Sequence, residues 1–124
     1  MNLPIAHPGA SADAPPVDLG VLPALTGCED PDMLAEFLSD FREIARQAEA
    51  EMLDAAQTGD LNAMRHVAHR VKSSARYVGA LQLGELSDTL ETACEKLQAD
   101  ATPGLLAQWR REWARVDAFL GSRG

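Results

Sequence analysis

The sequence has little cysteine and no long apolar segment, and both absences restrict where the protein works. Its two cysteines, Cys28 and Cys94, match no spacing of a metal-binding or redox motif. The residues alone leave a disulfide open, but we expect two buried thiols, as in cytoplasmic proteins. Residues 1–16 lack the basic start and apolar run of a signal peptide, and no later stretch is long enough to span a membrane. We therefore expect a cytoplasmic protein or the cytoplasmic part of a membrane-bound one.

Basic residues are in the minority, which argues against one class of partner. The chain has 11 lysines and arginines against 19 acidic residues, and its formal net charge is -8 at pH 7. A protein this acidic is not expected to bind nucleic acid non-specifically, and we expect it to be a monomer. With 124 residues, the chain can form one domain at most.

The first residues lack the apolar side chains that a core requires. Residues 1–16 are mostly proline, alanine, glycine and serine. We therefore expect a flexible linker or leader there, and a folded domain over residues 17–124. Whether the leader starts a free-standing protein or joins the domain to a longer one stays open.

Signals for β-strands are absent, whereas signals for helices are frequent. No segment alternates between apolar and polar residues with period two, and apolar residues instead recur every three or four positions. A short apolar helix is predicted to end at Gly27. The next helix is predicted to start after Asp30 with Pro31 in its first turn and to end at Gly59, and Asp60 can cap the one that follows.

These helices predict an all-α fold, namely an antiparallel up-down four-helix bundle with a short additional N-terminal helix. The apolar stripe of each long helix should face the core. The residues expected there are Leu34, Phe37, Leu38, Phe41, Ala45, Ala48 and Met52; Leu61, Met64, Ala68, Val71, Ala75 and Val78; Leu83, Leu86, Leu90, Ala93 and Leu97; and Leu105, Leu106, Trp109, Trp113, Val116 and Leu120.

One predicted helix carries no acidic side chain, although the chain as a whole is acidic. No aspartate or glutamate occurs between residues 61 and 84. The basic residues of this segment predict a patch whose field is opposite in sign to that of the whole molecule. Helical geometry places these residues on the outer face: Arg65, His69, Lys72, Ser73 and Arg76, with Arg70 adding a further positive charge.

A solvent-exposed histidine on such a face can act as a nucleophile. Free imidazole titrates near neutral pH, so its neutral form offers a nitrogen lone pair for attack. A phosphoryl group on His69 would need nearby positive charge, and Lys72 lies one helical turn away. The small side chains of Ser73 and Ser74 would leave room for the active site of a partner to close over the ring.

The stretch AHRVKSSARYVGA, residues 68–80, resembles the phosphoacceptor motif of histidine phosphotransfer (HPt) domains. That motif reads roughly Ala-His-x-Leu-Lys-Gly-Ser, with Gly-Ala shortly after. The resemblance extends to VDLGVLPALTG before the motif and to LGELSDTLE after it, so it covers nearly all of the chain beyond the leader. Ser73 stands where the family usually has glycine, and because serine is also small, docking of a partner is expected to survive. The matching residues are Ala68, His69, Val71, Lys72, Ser74, Gly79 and Ala80.

The resemblance implies that His69 accepts a phosphoryl group from the aspartate of one receiver domain and passes it to another, in a multistep two-component phosphorelay. Such a module has no ATP-dependent kinase activity of its own, although it can be a segment of a hybrid histidine kinase. The implied partners are response-regulator receiver domains and a hybrid sensor histidine kinase, without nucleic acid or membrane insertion. No cofactor of its own is implied, since the receiver supplies Mg²⁺.

Glu91 is a candidate site residue on geometric grounds. If the chain reverses near Gly79, His69 lies opposite roughly residue 90 of the next antiparallel helix, given the equal rise of both helices. Glu91 is then predicted to accept a hydrogen bond from Nδ1 of His69, which leaves Nε2 free. Lys72 is assigned to stabilising the phosphoryl charge. The residues assigned to partner contact are Arg65, Arg70, Ser73, Ser74, Arg76 and Gly79, although Gly79 also fits the end of a helix.

Two other functions stay open from the sequence. The bundle could be an interaction adaptor of HPt-like fold without phosphotransfer, or a helical scaffold with a metal site. His66 is interpreted as a flanking surface residue. His66 and His69 are spaced to ligate a metal together, but no further cysteine or acidic residue stands on that face, so no metal ligand is assigned.

Overall fold

The computed structural model describes residues 14–123, which form five helices and no strand. The short α1 covers Val21–Thr26, and the long helices are α2 (Pro31–Thr58), α3 (Leu61–Val78), α4 (Leu81–Glu95) and α5 (Thr102–Arg123). Residues 1–13, which make up most of the predicted leader, and Gly124 lie outside the described residues. Within residues 14–123, none of the helices combines the length and the apolar character that a membrane span requires.

The long helices form a ring around a single core. Each packs against the next along the chain, and α5 closes the ring against α2, while α1 packs against α3. Two residues connect α2 to α3, and two connect α3 to α4. Connections this short force successive helices to run antiparallel. The predicted up-down four-helix bundle with a short N-terminal helix is confirmed.

The helix ends follow the capping chemistry expected from the sequence. Asp30 accepts a hydrogen bond from the backbone N–H of Asp32 at 3.0 Å, and Pro31 opens α2. Asp60 accepts a hydrogen bond from the backbone N–H of Ala63 at 2.9 Å and so caps α3. Such caps satisfy N–H groups that have no partner within the helix. The chain therefore reverses where the sequence predicts it.

Gly79 joins the bundle to the segment before α1. Its φ of 92° is in the left-handed region, and it ends α3. The backbone N–H of Asp18 donates a hydrogen bond to the Gly79 carbonyl at 2.8 Å, and a side chain at Gly79 would collide with the backbone of Asp18. Gly79 is buried under this segment, and its assignment to partner contact stays a prediction.

Most residues expected in the core are buried, with Leu97 as the clear exception. Trp109 is fully buried, and its Nε1–H donates to Ser87 Oγ at 2.9 Å. Leu97 is 75% exposed and has a positive φ, because α4 already ends at Glu95. The expectation that Leu97 faces the core is therefore wrong. Both cysteines are free thiols, but only Cys94 is buried and Cys28 is half-buried.

The candidate functional site around His69

His69 lies on the solvent side of α3 because the opposite side of that helix is anchored in the core. Its neighbours Ala68 and Val71 are fully buried, each with 0% of its surface exposed. This fixes the rotation of the helix about its axis. The His69 side chain is consequently 62% exposed, as the sequence predicts.

The imidazole of His69 is oriented by a carboxylate from the next helix. Its Nδ1 lies 2.8 Å from Oε2 of Glu91, a residue of α4 that is only 6% exposed. A carboxylate can only accept, so Nδ1 donates the hydrogen and Nε2 keeps its lone pair. The atom that points away from α4 is therefore the one that can attack a phosphorus atom.

Glu91 also binds Lys72, so one carboxylate serves two residues of α3. Lys72 Nζ lies 2.6 Å from Glu91 Oε1, as an ion pair without the angles of a good hydrogen bond. Burial raises the pKa of Glu91, but the contacts with Lys72 and with His69 lower it more. The pKa of Glu91 therefore lies below the ordinary value. The contact with Glu91 raises the pKa of Lys72 above its ordinary value. Burial lowers this pKa in part, and Asp88 adds to the rise. Glu91 and Lys72 therefore form an ion pair at neutral pH, and together with the His69 ring they make up the His69 triad.

Carboxylates from both neighbouring helices pair with three of the four basic side chains of the positive patch expected along α3, which weakens its field. Asp88 of α4 lies 3.3 Å from Lys72 Nζ, and Glu85 lies 3.5 Å from Arg76. On the other side, Glu51 of α2 lies 2.9 Å from Arg70. The segment lacks acidic residues in its own sequence, but folding supplies them from α2 and α4. The resulting surface alternates in sign.

A shallow apolar groove lies beside the two serines. Ser73 is exposed and Ser74 is half-buried, and both line the groove together with Phe37, Ile44 and Tyr77. Ile44 is 39% exposed and Tyr77 is 43% exposed, so the groove presents adjacent apolar side chains to solvent. Sequence reasoning missed this groove. The available signal was Ile44, which stands just outside the apolar stripe of α2.

His66 does not join the site. Its Nδ1 donates to the carbonyl of Asn62 at 3.0 Å, and its Nε2 accepts from Arg65 at 3.2 Å. Both ring nitrogens are therefore engaged within α3, and Arg65 is turned toward His66 and Asn62. In the part of the chain that the structure describes, no group of three or more histidine, cysteine or acidic residues could hold a metal ion.

Comparisons with known proteins identify the family of this fold. A family model described as Hpt domain matches residues 32–119. The crystal structure of histidine-containing phosphotransfer protein B (HptB) from Pseudomonas aeruginosa PAO1 superimposes with a TM-score of 0.81 and 28% sequence identity, covering 90% of this chain and 96% of that chain. No curated protein matches the chain significantly.

The family match spans well over half of the chain and includes α3 and α4, which carry the His69 triad. Hpt proteins are intermediates of phosphotransfer, not kinases, and they interact with receiver domains and kinases. The chain belongs to the Hpt domain family, and its function is histidine phosphotransfer in a phosphorelay.

Proposed function

We propose that Nε2 of His69 carries the phosphoryl group between the aspartates of receiver domains. The observation that supports this most directly is the hydrogen bond from Nδ1 to Glu91, at 2.8 Å, on a ring that is 62% exposed. In the forward step, the Nε2 lone pair attacks the phosphorus of an aspartyl phosphate. A new N–P bond forms, the P–O bond to the aspartate breaks, and the aspartate leaves as a carboxylate.

Glu91 contributes to this step by stabilising charge. When Nε2 forms its bond to phosphorus, the ring becomes positively charged, with the proton still on Nδ1. The buried carboxylate of Glu91 accepts that N–H, so the positive charge develops beside a fixed negative one. The reverse step returns a neutral ring, and the same contact holds it ready for another cycle.

Lys72 is proposed to neutralise the phosphoryl oxygens. Its ammonium is already held near the ring by Glu91, which also binds His69. A lysine placed in advance loses less entropy when the phosphoryl group arrives. The receiver brings Mg²⁺ with its own active site, and the loose transition state of phosphoryl transfer depends mainly on such charge neutralisation.

The receiver is proposed to dock over His69 and the adjacent apolar groove. Ile44 and Tyr77 offer exposed apolar surface there, and the small side chain of Ser73 leaves the ring accessible to the receiver. The arginines of α3 form the polar rim, where charge directs encounter more than it adds affinity. The chain is proposed to act as a monomer toward receivers and a hybrid sensor kinase, either as a free protein or as a segment of such a kinase.

The test is phosphoryl transfer from a panel of phosphorylated receiver domains to this chain. We expect the wild type and His66→Gln to gain base-stable, acid-labile phosphate, and His69→Gln to gain none. Circular dichroism should show the same helix content for all three proteins. If no receiver transfers to the folded wild type, the chain is an interaction adaptor and this proposal fails. Phosphate on the His69→Gln variant would move the acceptor to another residue.

A further inference from the structure

Lys72 is held by two carboxylates of α4, and only one of them touches the histidine. Its Nζ lies 2.6 Å from Glu91 and 3.3 Å from Asp88. Asp88 also faces Arg76 at 4.0 Å, one turn further along α3 and away from His69. Glu91 therefore draws the ammonium toward the ring, and Asp88 draws it away from the ring.

We propose that Asp88 is a positioning residue that restrains Lys72 and thereby sets the fraction of the protein phosphorylated on His69 at equilibrium. This inference rests on the proposed function, because it concerns the same phosphoryl group. Asp88 itself touches neither the ring nor the phosphoryl group; it acts mainly through the lysine.

The argument depends on which contacts survive phosphorylation. A phosphoryl group on Nε2 carries close to two negative charges and attracts the ammonium of Lys72. Glu91 can keep its contact with Lys72, since it already binds both the lysine and the ring. Asp88 binds the lysine from the far side, so this contact must lengthen or break when Lys72 moves toward the phosphate.

Asp88 has two effects on the equilibrium, and both disfavour phosphorylated His69. Its carboxylate competes with the phosphoryl group for Lys72, and its negative charge also repels that group. The side chain of Asp88 is 46% exposed, so water weakens both effects without abolishing them. Removing its charge should therefore favour phosphorylated His69 by a moderate factor, about threefold for an exposed ion pair.

The experiment measures the equilibrium ratio of phosphorylated chain to phosphorylated receiver, so a slow variant needs only a longer incubation. The proteins are wild type, Asp88→Asn, Asp88→Glu, Lys72→Ala and the double variant that combines Asp88→Asn with Lys72→Ala. Glu95→Gln is the matched control, because it removes one carboxylate from an exposed position of α4. It lies about 10 Å from Asp88 along the helix axis.

Asp88→Asn is expected to raise the ratio about threefold, Asp88→Glu to restore most of the wild-type value, and Glu95→Gln to leave it unchanged. In the Lys72→Ala background, Asp88→Asn should lose most of its effect, as a contact acting through the lysine requires. An unchanged ratio for Asp88→Asn overturns the inference, as does an equal increase with and without Lys72. In both cases His69 still carries phosphate, so the proposed function stands.

A second readout does not depend on phosphoryl transfer. In the unphosphorylated protein, the ¹⁵N resonance of the Lys72 ammonium should shift in Asp88→Asn and stay in place in Glu95→Gln. If the Lys72 resonance does not shift in Asp88→Asn, Asp88 does not restrain Lys72 in solution. That result would overturn the inference even if the transfer ratio changed.

Discussion

At the residue scale, the site depends on one buried carboxylate that is shared by two side chains of another helix. The sequence allows Glu91 to be predicted, because an antiparallel hairpin with a two-residue turn at residues 79–80 makes the register of the two helices calculable. The bonds of Lys72 could not be predicted. A long side chain reaches several carboxylates, and its choice among them depends on packing that the sequence does not encode locally.

Replacing Glu91 by glutamine should separate its two roles. Glutamine still offers an oxygen to the Nδ1–H of His69, but it cannot pair with the charge of Lys72. In Glu91→Gln we expect transfer to persist at a reduced rate. In Glu91→Leu we expect slower transfer and also a His69 ring that no longer prefers the tautomer with hydrogen on Nδ1. Transfer kinetics and ¹⁵N spectra of the His69 ring measure the two roles. If glutamine and leucine give the same ring spectrum, Glu91 does not set the tautomer.

Glu91 also gives stability a defined dependence on pH. Its pKa in the folded protein is below the ordinary value, so the folded state binds this proton more weakly than the unfolded state does. Its contribution is present above the ordinary carboxyl pKa and disappears as the pH falls through the lower, folded-state pKa.

Wild type should therefore be more stable than Glu91→Gln at neutral pH, and the difference should shrink on acidification in urea denaturation experiments. The comparison cancels the effect of Glu112, whose pKa burial raises. A difference that stays constant with pH would contradict the charged pair.

At the element scale, the sequence predicts helices well where a cap and a long apolar stripe agree, as in α2 and α3. It fails at the end of α4. The apolar period continues to Leu97, yet the helix stops at Glu95, and Leu97 turns into solvent with a φ of 56°. No glycine or proline marks that stop, so periodicity alone extends the helix too far.

The turn between α3 and α4 gives the prediction that belongs to this scale. Gly79 has a positive φ and lies against the backbone of Asp18, whereas Gly59 has a similar φ with nothing near its missing side chain. Gly79→Ala should therefore cost more than Gly59→Ala: about 1 kcal/mol for Gly59 and at least about 2 kcal/mol for Gly79. Urea denaturation measures both. Equal losses would mean that the segment before α1 is not packed against Gly79 as described.

At the scale of the whole molecule, the prediction of a basic surface shows where charge counting fails. The segment from residue 61 to 84 lacks acidic residues, but in the bundle its face is bordered by α2 and α4, which supply Glu51 and Asp88 among others. Net charge along a sequence therefore does not give the field at a surface built from three helices. Because most of these charges are paired within the chain, we expect the apolar groove rather than the basic residues to supply most of the affinity for a receiver.

The contribution of the groove to receiver binding can be tested by placing a charge in it. Ile44→Glu should weaken receiver binding about tenfold, as expected for a central apolar contact of an interface. It should leave the midpoint of thermal unfolding nearly unchanged, because Ile44 is already 39% exposed. Leu97→Glu is the control, since Leu97 is 75% exposed and follows α4 at its far end from the groove.

Titration of a receiver domain by calorimetry gives both affinities. If Ile44→Glu and Leu97→Glu weaken binding equally, the loss reflects added negative charge on an acidic molecule rather than the groove. Raising the salt concentration distinguishes the two causes further, because it screens a general charge effect but does not restore a lost apolar contact. A defect of Ile44→Glu that persists at high salt would place the receiver over the groove beside His69.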